Sequence, residues 1–491
     1  MIAAIQTPHV DWLTLSPVLA PLAAAGLALF VAVLTPRPWR RPLAAFLAVA
    51  GFVTGGILAG IVFDRSLTPA LEVGDAIVRD RYAAFGQVLV CAIGAVAVLV
   101  SYAERMRDDH IAEYYALLLT AVGGMEFLLM AHNLMTLFLG LEWFSVCLYV
   151  LCAIDRELVG SLEAGLKYLI IGGVGSAALL YGSALVYGST GELDFTQIAE
   201  HARPDDGLFL AGLAMILVGF GYKASAAPFH QWTPDVYEGA PSPVTAFMSA
   251  ATKAVALMLA LRVLRVAFPQ EAHLWTVALA VIATASLVIG NLGALVQRGV
   301  KRMLAYSSIS HAGFMLIAIA ANNELGARGL LYYLIPYSAM SVGAFAVVAA
   351  RERELRMPVT LDNLAGFGWE RPFLGAAMWI FMLGFAGFPL TGGFVGKFYV
   401  FGAAYDRGWI WLVIVGALAT LVSLYYYLGV VRALYMRSPL ELRLAPTGGS
   451  PPPERLLHGA TFICVAVTVG SFFAVQPLID IARDAVAAIP F

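Results

Sequence analysis

The chain is 491 residues long, 60% hydrophobic and only 13% charged, with a mean hydropathy of +0.82 and a formal net charge of −2. Soluble domains run about 45–50% apolar and about 25% charged, so this composition requires lipid around most of the outer surface. The near-neutral charge and the lack of a basic tail exclude an electrostatic nucleic-acid binder.

Apolar runs long enough to cross a bilayer, about 20 residues each, predict an all-α polytopic membrane protein with about fourteen transmembrane helices. In chain order they fall near 12–34, 42–63, 84–103, 112–131, 133–154, 163–188, 208–231, 240–266, 274–296, 302–321, 327–350, 372–404, 409–434 and 458–480. No basic residue precedes Arg37, so the charged region of a cleavable signal peptide is missing and the first run is expected to be a retained span. Arg37, Arg40 and Arg41 follow span 1, Arg298, Lys301 and Arg302 follow span 9, and Arg351, Arg353 and Arg356 follow span 11. These loops share one parity, which places them in the cytoplasm and both termini in the periplasm of a bacterial inner membrane. Cys91, Cys147, Cys152 and Cys464 stand in apolar runs without metal-site spacing and are read as buried, inert thiols.

Span 7 reads GFGYKASAAPFHQW around Pro228 and span 12 reads GFAGFPLTGGFVGKFYV around Pro389. Proline beside small residues breaks a helix inside the membrane, which is tolerated where protein or water satisfies the freed backbone. Paired breaks in two halves of a chain point to a transport path. Lys223 precedes its proline and Lys397 follows its own, the order expected of two inverted stretches.

Lysine is scarce: five residues, Lys167, Lys223, Lys253, Lys301 and Lys397, against 25 arginines. Arginine stays charged, whereas a buried lysine can exchange its proton. Lys223, Lys253 and Lys397 lie deep in apolar spans, where ionisable groups are costly and usually functional. Lys167 lies about one turn inside span 6, and Lys301 is read as a topology determinant in a basic loop. Glu142, in LGLEWFS at the middle of span 5, would form a two-state proton switch with a lysine in contact with it. Glu113 and Glu126 lie nearer the ends of span 4, within reach of water or loops. His230 and His311 can relay protons, with Tyr306, Ser307, Ser308 and Ser310 offering hydroxyls beside the latter. No metal-ligand spacing accompanies either histidine.

The stretches EYYALLL, NLMTLFLGLEWFSVCLYVL, EAGLKYLIIGGVGSAALLYG, KASAAPFHQWTPDVYEGAPSPVTAF, KRMLAYSSISHAG and LTGGFVGKFYVF together resemble the NuoN-type, antiporter-like membrane subunits of respiratory complex I, the proton-pumping NADH:quinone oxidoreductase. The resemblance implies fourteen helices with two inverted five-helix repeats, helices 4–8 (112–267) and 9–13 (268–436), broken at helices 7 and 12. Residues 1–111 would form an N-terminal three-helix segment, and 437–491 a loop and helix 14. It places the family's key acid on Glu142 and its lysines on Lys167, Lys223, Lys253 and Lys397. The related NuoM type carries glutamate where Lys397 stands, and the NuoL type continues into a long lateral helix.

The expected role is proton translocation through Glu142, Lys167, Lys223, His230, Lys253, His311 and Lys397, without a cofactor in this chain. NADH, FMN, iron–sulfur clusters and quinone would belong to partner subunits, and NuoM-like and NuoK-like subunits would be the membrane neighbours. A stand-alone or Mrp-like sodium/proton antiporter and an inert membrane scaffold are the competing readings.

Overall fold

The structure, a computed structural model, describes residues 10–104, 110–203, 205–437 and 454–490. Most of the loop expected to lead from 437 into helix 14 lies outside the described residues.

Helix α1 (Trp12–Leu34) starts where the Asp11 carboxylate accepts the Leu13 N–H at 3.0 Å, a side-chain cap for an otherwise unpaired donor. Helix α2 (Arg37–Arg65) takes Arg37, Arg40 and Arg41 into its opening turns, which were expected to be loop. Strands β1 (Ala70–Glu72) and β2 (Ile77–Arg79) then pair antiparallel, so the chain is not purely helical. Val73, Gly74 and Asp75 between them all have positive φ, and Val78 N–H donates to Met130 O at 2.8 Å, pinning the hairpin to the next helical pair.

Helices α3 (Arg81–Ser101), α4 (Ile111–Leu129), α5 (Leu134–Cys152) and α6 (Val159–Thr190) follow, then a short surface helix α7 (Phe195–His201). Over the expected span 208–231 the structure has α8 (Gly207–Lys223), a stretch of turns holding Pro228, and α9 (Trp232–Gly239). Next come α10 (Ser242–Ala267), α11 (Ala272–Leu295), α12 (Val300–Ala320) and α13 (Glu324–Leu355). After a turn of helix, α14 (Phe367–Glu370), the expected span 372–404 is likewise two helices, α15 (Pro372–Ala386) and α16 (Gly392–Asp406). Helix α17 (Ile410–Met436) follows; the last expected span divides at Ala474 into α18 (Arg455–Phe473) and α19 (Val475–Val486). The apolar face of α19, Ile479, Ala482, Ala485 and Val486, is buried, and Gln476, Asp480, Arg483 and Asp484 form its polar side. Among the described residues, twelve helices are long and apolar enough to cross a membrane, and α8 and α15 are shorter apolar helices. The protein is therefore a multi-pass membrane protein.

Burial sorts these helices into an inside and an outside. The apolar windows of α10, α12 and α13 are 100%, 94% and 89% buried, whereas those of α1, α2, α17 and α18 are 33% buried. A helix apolar on every side and covered on every side is a core helix, so the centre of the molecule is α10, α12 and α13. Close approach elsewhere relies on small residues: a Cβ on Gly182 of α6 would stand 2.7 Å from the Gly212 carbonyl of α8, a contact only glycine permits.

Polar ties hold the helix ends in two sets. In one, Arg41 donates to Tyr102 O and Glu104 O, Arg353 joins Glu104 and Glu454, and Lys301 donates to Ala240 O. In the other, Arg79 meets Asp11, His132 meets Asp194, Arg262 meets Asp80, and Arg265 donates to Pro490 O. Asp11 and Pro490, near the two ends of the described chain, fall in the same set. All four cysteines are buried and free.

Candidate functional site

Lys223 is the last residue of α8, 2% exposed, and its ammonium donates to Ser145 Oγ of α5 at 2.6 Å. The Phe144 ring centre lies 5.0 Å from Nζ, and the rings of Tyr149, Tyr168 and Tyr222 lie 5.7–5.9 Å away. Aromatic faces attract a cation without neutralising it. Glu142, one turn before Ser145 on α5, accepts instead from Ser176 of α6. The direct acid–lysine contact expected from sequence is not made, because each group takes a serine of its own.

Lys253 lies at the middle of α10, fully buried, and donates to both the carbonyl and the hydroxyl oxygen of Ser308 on α12. Ser308 Oγ also meets Tyr337 OH of α13 at 3.0 Å. His311 stands one turn after Ser308 on the same helical face. Its Nδ1 is hydrogen-bonded to Tyr333 OH at 2.7 Å and its Nε2 to Tyr427 OH at 3.1 Å, and its ring packs 5.2 Å from that of Phe385. The Phe385 carbonyl in turn accepts from Lys397 at 2.9 Å, with Ala386 O at 3.2 Å. These are the last two residues of α15, whose carbonyls have no partner inside the helix. Lys397 is 4% exposed and also sits 4.6 Å from the centre of the Phe314 ring.

The structure thus brings Lys253, His311 and Lys397 into one buried neighbourhood, and places the half-buried Glu142 one turn from the serine that holds Lys223. Two further sequence candidates stand apart. The Lys167 side chain is 38% exposed and paired with Glu163 and Asp235 at 2.7 Å each. His230, half-buried between α8 and α9, has no hydrogen bond to any lysine among the described residues. Glu126 differs from its reading: it is fully buried, Cys91 Sγ donates to its Oε1 at 3.1 Å, and Oε2 has no partner. Lys301 is also buried, on Ala240 O, rather than lying in a loop.

Sequence reasoning missed Ser145, Ser176, Tyr333, Tyr337 and Tyr427. Only Ser145 carried a signal, its one-turn spacing from Glu142. Among the described residues, no group of three His, Cys, Asp or Glu side chains is placed to hold a metal ion.

Residues 131–423, which contain every one of these lysines, match the family described as NADH:quinone oxidoreductase/Mrp antiporter, TM. A NADH-quinone oxidoreductase subunit N from Trichlorobacter lovleyi is 41% identical over 423 residues, 85% of this chain and 86% of the relative. A chain of respiratory complex I from Thermus thermophilus is 30% identical with a TM-score of 0.78, over 95% of this chain and 99% of that one. A chain of the Mrp complex from Dietzia sp. DQ12-45-1b, 22% identical with a TM-score of 0.85 over 97% of both, shares the fold. The antiporter fold is common to both kinds of complex, but the sequence similarity is specific: the chain belongs to the NADH-quinone oxidoreductase subunit N family.

Proposed function

We propose that this chain is a proton-translocating subunit of a NADH:quinone oxidoreductase in a bacterial inner membrane, moving protons along Glu142, Lys223, Lys253, His311 and Lys397. One observation carries the reading. Three lysines, each no more than 4% exposed, are bonded to serine hydroxyls or backbone carbonyls. A lysine locked to a buried carboxylate cannot release its proton without stranding an unpaired anion. A lysine held by neutral oxygens can.

The redox chemistry then belongs to partner subunits carrying NADH, FMN, iron–sulfur clusters and quinone. It reaches this chain as a shift between two charge states of the lysine line, which requires that each state be stabilised differently. Lys167 and His230 would act at the margins of that line. Glu142, half-buried where α5 meets α6, is the group a NuoK-like neighbour would cover, and a NuoM-like subunit would continue the membrane arm.

The same reading takes α8 with α9, and α15 with α16, as single broken crossings. With the other twelve candidate spans this makes fourteen crossings, residues 112–267 and 268–436 being inverted repeats flanked by 1–111 and 437–491. Both termini then face one side, in keeping with the two sets of polar ties between helix ends.

Lys223→Ala and Lys253→Ala in the assembled complex test the proposal through quinone reduction and proton uptake in inverted vesicles. Pumping is expected to be lost in both, and native pumping in both rejects the lysine line. Copurification with redox subunits separates this reading from a stand-alone antiporter.

A further inference from the structure

The lysine line has a gap. Lys223 is anchored on Ser145 and Lys253 on Ser308, and no direct hydrogen bond joins the two neighbourhoods among the described residues. Tyr237 of α9 is a side chain that reaches toward both neighbourhoods, near Ser308 on one side and Tyr168 on the other. It is fully buried, its ring packed edge-on against Trp232 and Phe345 at centre distances of 6.1 and 6.0 Å. Its hydroxyl makes no hydrogen bond of ordinary length and direction, but it stands within reach of the side chains of Ser308, which holds Lys253, and of Ser225, two residues beyond Lys223. The hydroxyls of Tyr168 and Tyr222, whose rings stand beside Lys223, are also buried without a protein hydrogen bond among the described residues.

Buried polar groups are nearly always satisfied, and a native exception calls for an explanation such as a catalytic role or a water site. The hydroxyls of Tyr168, Tyr222 and Tyr237, buried without an ordinary protein hydrogen bond, mark places beside and beyond Lys223 where water would be held by two or more polar groups. We propose that the Tyr237 hydroxyl is the proton-transfer group that joins Lys223 to Lys253, acting through water on its Ser225 and Ser308 sides. A proton arriving on the phenolic oxygen from one side is matched by departure of the phenol's own proton on the other. One O–H bond forms as one breaks, no charge remains on the ring, and rotation of the hydroxyl resets it.

This inference rests on the proposed function, and its test keeps the two apart. Tyr237→Phe removes one oxygen and leaves the ring packing intact. The hydroxyl makes no direct protein hydrogen bond of ordinary geometry, so its removal costs the fold no more than about 1 kcal/mol. The variant complex is expected to assemble, to unfold close to the native temperature, and to show NADH-driven proton uptake reduced about tenfold, as for a barrier raised by about 1.4 kcal/mol. Native proton uptake by Tyr237→Phe, in a complex that Lys223→Ala and Lys253→Ala both silence, overturns the Tyr237 link and leaves the lysine line standing. Failure of Tyr237→Phe to assemble overturns it equally, since the hydroxyl would then be holding structure. Native uptake in the two lysine variants rejects the line itself.

Discussion

The Lys397 ammonium lies 2.9 Å from the carbonyl oxygen of Phe385, at the open C-terminal end of α15. Helix C-termini carry partial negative charge on carbonyls that no backbone N–H reaches. Ending α15 at Ala386 and restarting the chain as α16 at Gly392 therefore creates a seat for a cation inside the membrane, built from backbone alone. Lys223 stands in a related place, at the end of α8, but its oxygen comes from a side chain.

Gly387 makes the Lys397 seat possible. Its φ is +79°, and a Cβ added there would stand 2.9 Å from Lys397 Cδ. Gly387→Ala is expected to cost about 1–2 kcal/mol for the left-handed backbone and to push the lysine off its carbonyls. Proton uptake in vesicles should fall to the level of Lys397→Ala, with assembly retained. A Gly387→Ala complex that pumps like native would show that the seat does not matter.

Lys253→Arg separates a transferable proton from a fixed charge. Arginine preserves the cation and its donors to Ser308 but does not deprotonate in proteins. If Lys253 passes protons, the arginine variant should be as inactive in proton uptake as the alanine variant. Substantial pumping by Lys253→Arg would reduce the residue to an electrostatic anchor.

Among the described residues, Ser145 is the one hydrogen-bond acceptor of Lys223. Ser145→Ala leaves the buried ammonium facing aromatic rings, at a cost of about 1–3 kcal/mol for the lost partner. Ser145→Thr keeps the oxygen. The expectation is impaired proton uptake in the alanine variant and recovery in the threonine variant. Equal uptake in the two would mean that the ring cage suffices.

Lysines inside apolar runs, and proline beside glycine within a span, were legible because oil makes both expensive and so gives them meaning at sequence level. Their partners were not. Ser176 lies 34 residues from Glu142 and Tyr427 lies 116 from His311, and only the packing of α5 on α6 and of α12 on α17 brings them together. Glu126 was misjudged for the same reason: its place near the end of α4 suggested water, but α3 covers it with Cys91 and Gln87. The hairpin β1–β2 left no alternating pattern, being only three residues a side, and α19 was absorbed into the preceding span because its polar face begins within a turn of the apolar run.

Asp80 and Arg262 provide a stability test away from the lysines. Both are 3% exposed; Arg262 reaches both carboxylate oxygens at 2.7 Å and also donates to Leu129 O at 2.9 Å. The pair ties the start of α3 to the far end of α10, fixing the N-terminal helices to the core. Removing one partner strands the other charge, which typically costs about 3–5 kcal/mol, whereas replacing both with apolar residues of similar volume is often neutral. Asp80→Ala should therefore lower the unfolding temperature of the purified complex sharply, and the double variant Asp80→Leu with Arg262→Met should recover most of it. The double variant should also keep native proton uptake, because neither residue bonds to any group of the lysine line. A double variant no more stable than Asp80→Ala would show that the capping of Ala83 N–H by Asp80, at 2.7 Å, and the Leu129 contact matter more than charge balance.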